Sequence, residues 1–401
     1  MDTYCKVKSM YYNRKIYRNL LEHANTPSVT VLTGMRRTGK TTLVRRLLGD
    51  MDNKNSVFLD LQRLDNRELF GIKNYDIIYN DLVSRGLNKD LPSVVAIDEL
   101  QLAPDAPSAI KYLYDNFGIK FIVTGSSSYY LKNVFSESLS GRKKLFELRP
   151  LDFGEFLVFK GGAPQEKFDF GSGFNPAAYA RNSEYYSEYI RYGGFPQVVL
   201  ESDPGRKDDI LSDILSSYID LDVRALADFS STDNLLSLIK LLATRSGSRI
   251  EQSTLARIIG ISRPTLANYL SFLEKTYLIS RVSVQSTSTT REIVKAKKVY
   301  FCDTGLANSI VDLSSGAQFE NALYNQLSMI GEVRYFSLKA GLEVDFVLDS
   351  SLALEAKESP DIGDVAQLKR LSDVMGIEKY KLVGRYKTAS YSDYIWGGSI
   401  V

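Results

Sequence analysis

Histidine is all but missing: the 401-residue chain has one, His23. A histidine-rich metal site is therefore impossible, and any Ser-His or Cys-His nucleophile would have to use that residue. His23 stands in a helical stretch, Tyr17 to Ala24, where a surface or core place is the expectation. Cysteine is nearly as scarce, and Cys5 and Cys302 are too few and too far apart for a disulfide framework or a zinc site. Net charge is only +2, so any basic surface for nucleic acid must be local. No apolar run approaches a membrane span, and the start, Met1 to Lys6, lacks the look of a secretory leader. The expectation is a cytoplasmic protein with no membrane partner. Its chemistry must come from carboxylates, lysine, arginine and binding. Apolar content of 44% and charge of 24% are ordinary globular values, and the length suits two or three domains.

What is present is concentrated in a few stretches. Gly34-Met35-Arg36-Arg37-Thr38-Gly39-Lys40-Thr41 is a full P-loop pattern, set after the β-branched run Ser28 to Thr33 and before helically spaced residues, Thr42 to Leu48, that end at Gly49. The glycines permit a tight turn and let backbone N–H groups approach phosphates, and the helix N-terminus favours negative charge. Residues 34–42, Thr42 included, are the candidate nucleotide cradle. Lys40 would reach the β and γ phosphates, and the Thr41 hydroxyl would hold Mg²⁺. Arg36 and Arg37 would either touch phosphate or tie the loop to a neighbouring element.

The apolar run Ser93 to Ile97 leads into Asp98 and Glu99, placing two carboxylates at the ligand-binding edge of such a sheet. Asp98 would bind Mg²⁺, and Glu99 would orient the attacking water, which makes this a hydrolase pattern. Lys120 to Val123 and Leu145 to Leu148 read as two more strands. The first ends in hydroxyls, of which Thr124, Ser126 or Ser127 would sense a γ-phosphate or simply form a turn. Arg142 is a candidate arginine finger, acting within its own chain or across a homo-oligomer; a solvated basic loop is the alternative.

Helix and strand signals alternate to about residue 151, as in a doubly wound α/β domain. A mostly helical stretch follows, broken at Gly193-Gly194-Phe195-Pro196. From Ser248 to Ser280, Leu255-Ala256-Arg257-Ile258-Ile259-Gly260-Ile261-Ser262 and Pro264 to Leu270 have the spacing of a helix-turn-helix with Ser262 as N-cap. Two strands around a polar loop, Leu278 to Val284 and Lys297 to Cys302, would add a wing. Arg263 and Asn268 would face bases, and Arg291, Lys295, Lys297 and Lys298 phosphates. The rival is a winged helix used only for packing.

A third cluster lies near the C-terminus. Leu342 to Leu348 and Leu352 to Lys357 read as adjacent strands, with Glu355 and Lys357 on one face and Asp345 able to join them across a hairpin. Two carboxylates, Asp345 and Glu355, sharing Mg²⁺ beside Lys357 would make a phosphodiesterase centre, with Glu320 supplying a further ligand or holding a water. This arrangement resembles the PD-(D/E)xK nuclease superfamily. A solvated hairpin face is the alternative.

As a set, residues 34–42, 95–101, Leu139-Ser140-Gly141-Arg142, 150–156, Gly193 to Pro196, 299–306, Phe319-Glu320-Asn321 and 343–346 resemble a prokaryotic family of AAA-type P-loop ATPases with a C-terminal domain of unassigned function. The resemblance implies an AAA-type ATPase core over 1–151, a helical lid or linker over 152–240, a winged helix-turn-helix over 241–303 and a small α/β restriction-endonuclease-like domain over 304–401. It also implies ATP and Mg²⁺ as cofactors, with Lys40, Thr41, Asp98 and Glu99 at the nucleotide. ATP is expected over GTP because no guanine-specific Asn-Lys-x-Asp string occurs. The expected function is an ATPase coupling nucleotide state to nucleic-acid handling, DNA above all, with a candidate nuclease centre. The alternative is a regulatory switch with protein partners and an inactive nuclease-like domain.

Overall fold

The computed structural model describes residues 11–126, 141–163, 168–223, 232–286, 288–338, 341–389 and 391–401. Expectations that fall on Cys5, Ser127, Leu139 and Ser140 lie outside the described residues. Val29–Thr33 (β1), Ser56–Asp60 (β2), Val94–Asp98 (β3), Lys120–Gly125 (β4) and Lys143–Glu147 (β5) form a five-stranded, all-parallel sheet in the order β2-β3-β4-β1-β5. β1, β3 and β4 are buried along their whole length, which is why they are apolar without alternation. Both faces are covered. Leu32, Ala96 and Ile122 meet Leu20, Leu43, Val44 and Leu47 from helices Tyr17–Ala24 and Lys40–Asp50. On the other face Val31, Ile97 and Val123 meet Ile78, Leu82, Ile110 and Leu113 from Tyr75–Ser84 and Ala106–Phe117. The helix after the glycine loop runs through Gly49 to Asp50, so that glycine is not its stop.

After β5 the chain leaves this sheet through helices Phe153–Phe159, Pro176–Tyr192, Pro196–Leu200 and Pro204–Tyr218, three of them capped by Asp152, Asn175 and Asp203. The last continues into a π-helical turn, Ile219–Val223. Helices Thr232–Ala243, Gln252–Ile259 and Arg263–Lys275 then pack beside a three-stranded antiparallel sheet of Arg249–Ile250 (β6), Ile279–Val282 (β7) and Lys297–Phe301 (β8), in the order β6-β8-β7. Ser262 caps the second helix of the expected pair, its hydroxyl accepting from Thr265 N. The β7–β8 connection carries a short helix, Thr289–Val294, where a polar loop was expected.

The third sheet consists of Val333–Ser337 (β9), Glu343–Leu348 (β10), Leu352–Lys357 (β11), Lys379–Gly384 (β12) and Ile395–Trp396 (β13) in sequential order. β9, β10 and β11 are antiparallel, while β12 joins β11 in parallel through the crossover helix Ile362–Met375. Helix Ser315–Leu327 lies against it with Phe319, Leu323 and Leu327 buried.

Residues 152–240 have no core of their own among the described residues. Phe153, Phe156, Tyr186 and Tyr189 share a core with Tyr300, Phe346, Leu354 and Trp396, whereas Phe195, Leu211, Tyr218 and Leu238 pack with Leu266, Leu270 and Val299. The expected lid is thus divided between the two units that follow it.

Candidate nucleotide site and C-terminal acidic centre

The parallel sheet directs the ends of β1, β3 and β4 to one edge. There the glycine loop turns into the helix Lys40–Asp50, with Gly39 at φ 99°. Gly34, at φ 145°, is pressed so closely on the chain after β5 that a Cβ would run into the Leu148 carbonyl oxygen. Lys40 Nζ is buried and donates to the carbonyl oxygens of Gly34 and Met35 at 2.8 and 2.9 Å. Burial lowers its pKa, a pull that Glu99 and Asp222 oppose. The Thr41 hydroxyl donates to Asp98 Oδ2 at 2.6 Å, so the two expected Mg²⁺-side groups meet.

β4 lies between the strands that carry the loop and Asp98, and its end binds both neighbours. Thr124 donates to Asp98 and accepts from Glu99 N at 3.0 Å, so its hydroxyl positions the two acids. Burial raises the Asp98 pKa, and the Thr124 and Thr41 hydroxyls oppose this. Glu99 is held at φ 59°, an uncommon backbone for glutamate, with its carboxylate bonded by Gln101 and 3.6 Å from Arg36 Nη1. Ser126 lies beside them, accepting from Gln101 Nε2 at 3.1 Å. Thr42 is exposed on the helix, and Thr38 is buried with its hydroxyl donating to Met35 O.

The two arginines tie the loop to the helical segment. Arg36 Nε is 2.7 Å from Asp222 Oδ2, and Arg37 Nη2 donates to Ser217 Oγ at 3.1 Å. Met35 is buried in the core built around the helix-turn-helix unit. Sequence reading missed three members of this site. Asp222 accepts from both Arg36 and the Ser126 hydroxyl. Arg14 donates to Thr38 O and Arg149 O and pairs with Glu155, bracing the loop from the N-terminal side. Gln101 links Glu99 to Ser126. Asp222 has no local pattern, since Arg36 and Asp222 are 186 positions apart.

Arg142 requires a correction. It precedes β5, its carbonyl accepting from Val29 N at the start of β1, and it is paired with Asp115. In a parallel sheet this is the edge opposite the glycine loop, so Arg142 is no finger within its own chain.

At the C-terminal cluster the hairpin register, Phe346 opposite Leu354, sets Asp345 opposite Glu355 as expected. A register shift between Val344 and Val347 on the β9 side flanks Asp345. Lys357 Nζ is 3.2 Å from Glu355 and 3.6 Å from Asp364. All four carboxylate oxygens of Asp345 and Glu355, the expected metal ligands, are engaged in this arrangement. Asp345 Oδ1 meets Lys298 Nζ at 3.0 Å and Oδ2 accepts from Ala356 N; Glu355 Oε1 meets Lys357 and Oε2 accepts from Asp345 N. Among the described residues no group of three or more His, Cys, Asp or Glu is arranged to hold a metal ion.

Lys298, expected to face phosphate, instead turns inward from β8. It is 1% exposed and lies 3.0, 3.1 and 3.0 Å from Glu320, Glu343 and Asp345. Burial pulls its pKa down, but the three acids together hold it above the ordinary lysine value. Burial and the charge of Asp345 push Glu320 up to about 7 and Glu355 likewise up to about 7. No described helix is long and apolar enough to cross a membrane.

Comparison with known proteins agrees with the first half of this description. Residues 26–157 match a family described as an AAA domain, and residues 183–317 match a domain of unknown function, DUF8612. An uncharacterized protein of Haemophilus influenzae is 25% identical over 354 residues, covering 85% of this chain and 84% of its own. One from Methanocaldococcus jannaschii is 26% identical over 352 residues, covering 85% and 76%. Among solved structures, the ADP form of the Aeropyrum pernix ORC2 protein is similar with a TM-score of 0.36 at 15% identity, over 70% of this chain and 90% of that one. A signal-transduction ATPase with numerous domains from Pyrococcus horikoshii gives 0.32 at 13% identity, over 80% and 45%. The chain thus carries an AAA-type P-loop domain at its N-terminal side.

Proposed function

We propose that the protein is a cytoplasmic, Mg²⁺-dependent ATPase that couples its nucleotide state to contact with duplex DNA. The observation that carries the ATPase reading is the Thr41–Asp98 contact beside the buried Lys40, a donor set that fits a triphosphate and its Mg²⁺. Glu99, at the same edge, is the general base or water-orienting group of this reading.

The DNA side rests on the helix-turn-helix unit, read as a winged helix. Arg263 and Asn268 are exposed on its second helix. A concavity of about 340 Å³ at that helix start is lined by Arg263, Arg281, Lys295 and Lys297. Arg281 is committed to Glu274, which leaves Lys295 and Lys297 as the cations for a phosphate backbone and Arg263 to face a base. The test is ATP turnover with and without Mg²⁺ and duplex DNA, beside fluorescence anisotropy of labelled DNA. Turnover that needs Mg²⁺ and rises with DNA is expected, and joint replacement of Lys295 and Lys297 by Ala should lower the salt slope of binding by about 2. Turnover unchanged in Lys40→Ala would remove the ATPase reading, and no DNA binding at low salt would remove the coupling.

A second reading, a switch with protein partners and an inactive nuclease-like sheet, is favoured by Lys298 among the C-terminal acids. The order helix, three antiparallel strands, helix and parallel strand supports likening this unit to PD-(D/E)xK nucleases. Nicking of supercoiled DNA with Mn²⁺ that disappears in Lys357→Ala would reject the inactive centre.

A further inference from the structure

We infer that Asp222 is a built-in anion that occupies the place of the terminal phosphate of ATP and fastens the helical segment to the glycine loop until ATP displaces it. The inference rests on the ATPase reading and specifies how that site is regulated.

The Asp222 carboxylate is 1% exposed and engages two groups of the nucleotide edge: Arg36 Nε at 2.7 Å and the hydroxyl of Ser126 at the end of β4. A guanidinium and a hydroxyl converging on one buried carboxylate form an anion position, and the same donors suit a phosphoryl group equally well. Lys40 and Thr41, which would take the adjoining phosphate and Mg²⁺, lie on the same loop as Arg36. With Asp222 in place, Lys40 falls back on the Gly34 and Met35 carbonyl oxygens. A triphosphate and Asp222 would place two anions on Arg36 and Ser126, so the two compete. ADP lacks the phosphate that reaches the end of β4 and competes less.

The segment that bears Asp222 is suited to letting go. Ile219–Val223 is a π-helical turn that ends the helix Pro204–Tyr218, a geometry that recurs at functional sites. The loop is also linked to this segment by the exposed Arg37–Ser217 bond and by Met35, which shares a core with Tyr218, Ile219 and Val223. On the far side Tyr218 is anchored, its hydroxyl 2.6 Å from Thr276 Oγ1 at the end of the helix Arg263–Lys275. Release of Asp222 therefore acts next to the element that holds the helix-turn-helix unit.

The experiment is the affinity of the full chain for a non-hydrolysable ATP analogue and for ADP by calorimetry, in wild type, Asp222→Asn and Asp222→Ala, with hydrogen exchange of residues 219–223 in the wild type. Removing an internal competitor raises apparent affinity by the inverse of the open fraction. Both variants should bind the ATP analogue about tenfold or more tightly, ADP should change less, and the analogue should speed exchange in 219–223 of the wild type. Loss of a merely structural ion pair would not tighten binding. Analogue affinity that is equal or weaker in the variants overturns the inference, as does unchanged exchange in nucleotide-bound wild type; an equal gain for ADP overturns the terminal-phosphate assignment. A wild type that binds no nucleotide while the variants do supports it. If no form binds, the ATPase reading itself falls.

Discussion

Two of the buried lysines, Lys40 and Lys298, have opposite surroundings. Lys40 is hydrogen-bonded to the carbonyl oxygens of Gly34 and Met35, and burial lowers its pKa against the opposing pull of Glu99 and Asp222. Lys298 has three carboxylates within 3.0 to 3.1 Å, which lift its pKa in spite of burial. A buried cation bonded to dipoles, with no direct ion pair among the described residues, is under-compensated, so an arriving anion gains from it; one inside an acidic triad has little left to offer. The P-loop site is thus poised for a ligand, whereas the C-terminal centre is complete as it stands.

The largest expected effect breaks the comparison at its first member. Lys40→Ala should lower ATP turnover by about 100-fold or more while the melting temperature stays near that of the wild type, as seen by a coupled assay and calorimetry. Its counterpart, Lys298→Met, should leave three acids facing one another in a buried place and cost about 3–5 kcal/mol in urea denaturation. Adding Glu320→Gln should recover part of that loss. A Lys298→Met protein as stable as the wild type would erase the contrast. Next comes Gly34→Ala, which pushes a methyl into the Leu148 carbonyl: about 1–3 kcal/mol of stability and most nucleotide binding should go, the two measured by denaturation and calorimetry.

The smallest effect concerns pH. Burial, then Lys120 and Lys144, lower the His23 pKa from 6.5 to about 4. The fold favours the neutral ring, so this contribution is fully present above pH 6.5 and is lost as pH falls through 4. His23→Gln should flatten stability against pH between those values, leaving the slope of the other groups.

The sequence made the nucleotide site legible because it is built from contiguous pieces: a strand, a glycine loop and a helix, then a strand ending in two acids. The strands Val94–Asp98 and Leu352–Lys357 were readable for the same reason, as was the capped helix after Ser262. Lys298 was misread because it sits in a basic run with Lys295 and Lys297. On a strand, adjacent residues point to opposite faces, so one position separates a solvent-facing lysine from one in the core. Arg142 was readable in principle, since a residue that precedes a parallel strand lies at the edge away from the ligands. Asp222 was not, for no local pattern links a π-helical turn to a loop 186 positions earlier. The sharing of residues 152–240 between two cores was equally invisible, because apolar spacing says that a face is covered and not by what.

That shared packing limits how the chain can come apart. A chain stopped after Asp303 would lose Phe346, Leu354 and Trp396 and leave Phe153, Phe156, Tyr186 and Tyr189 facing water. Such a fragment would be sticky and prone to aggregate, and the intact protein should melt its C-terminal half together with the helices that begin at Phe153, in one cooperative step.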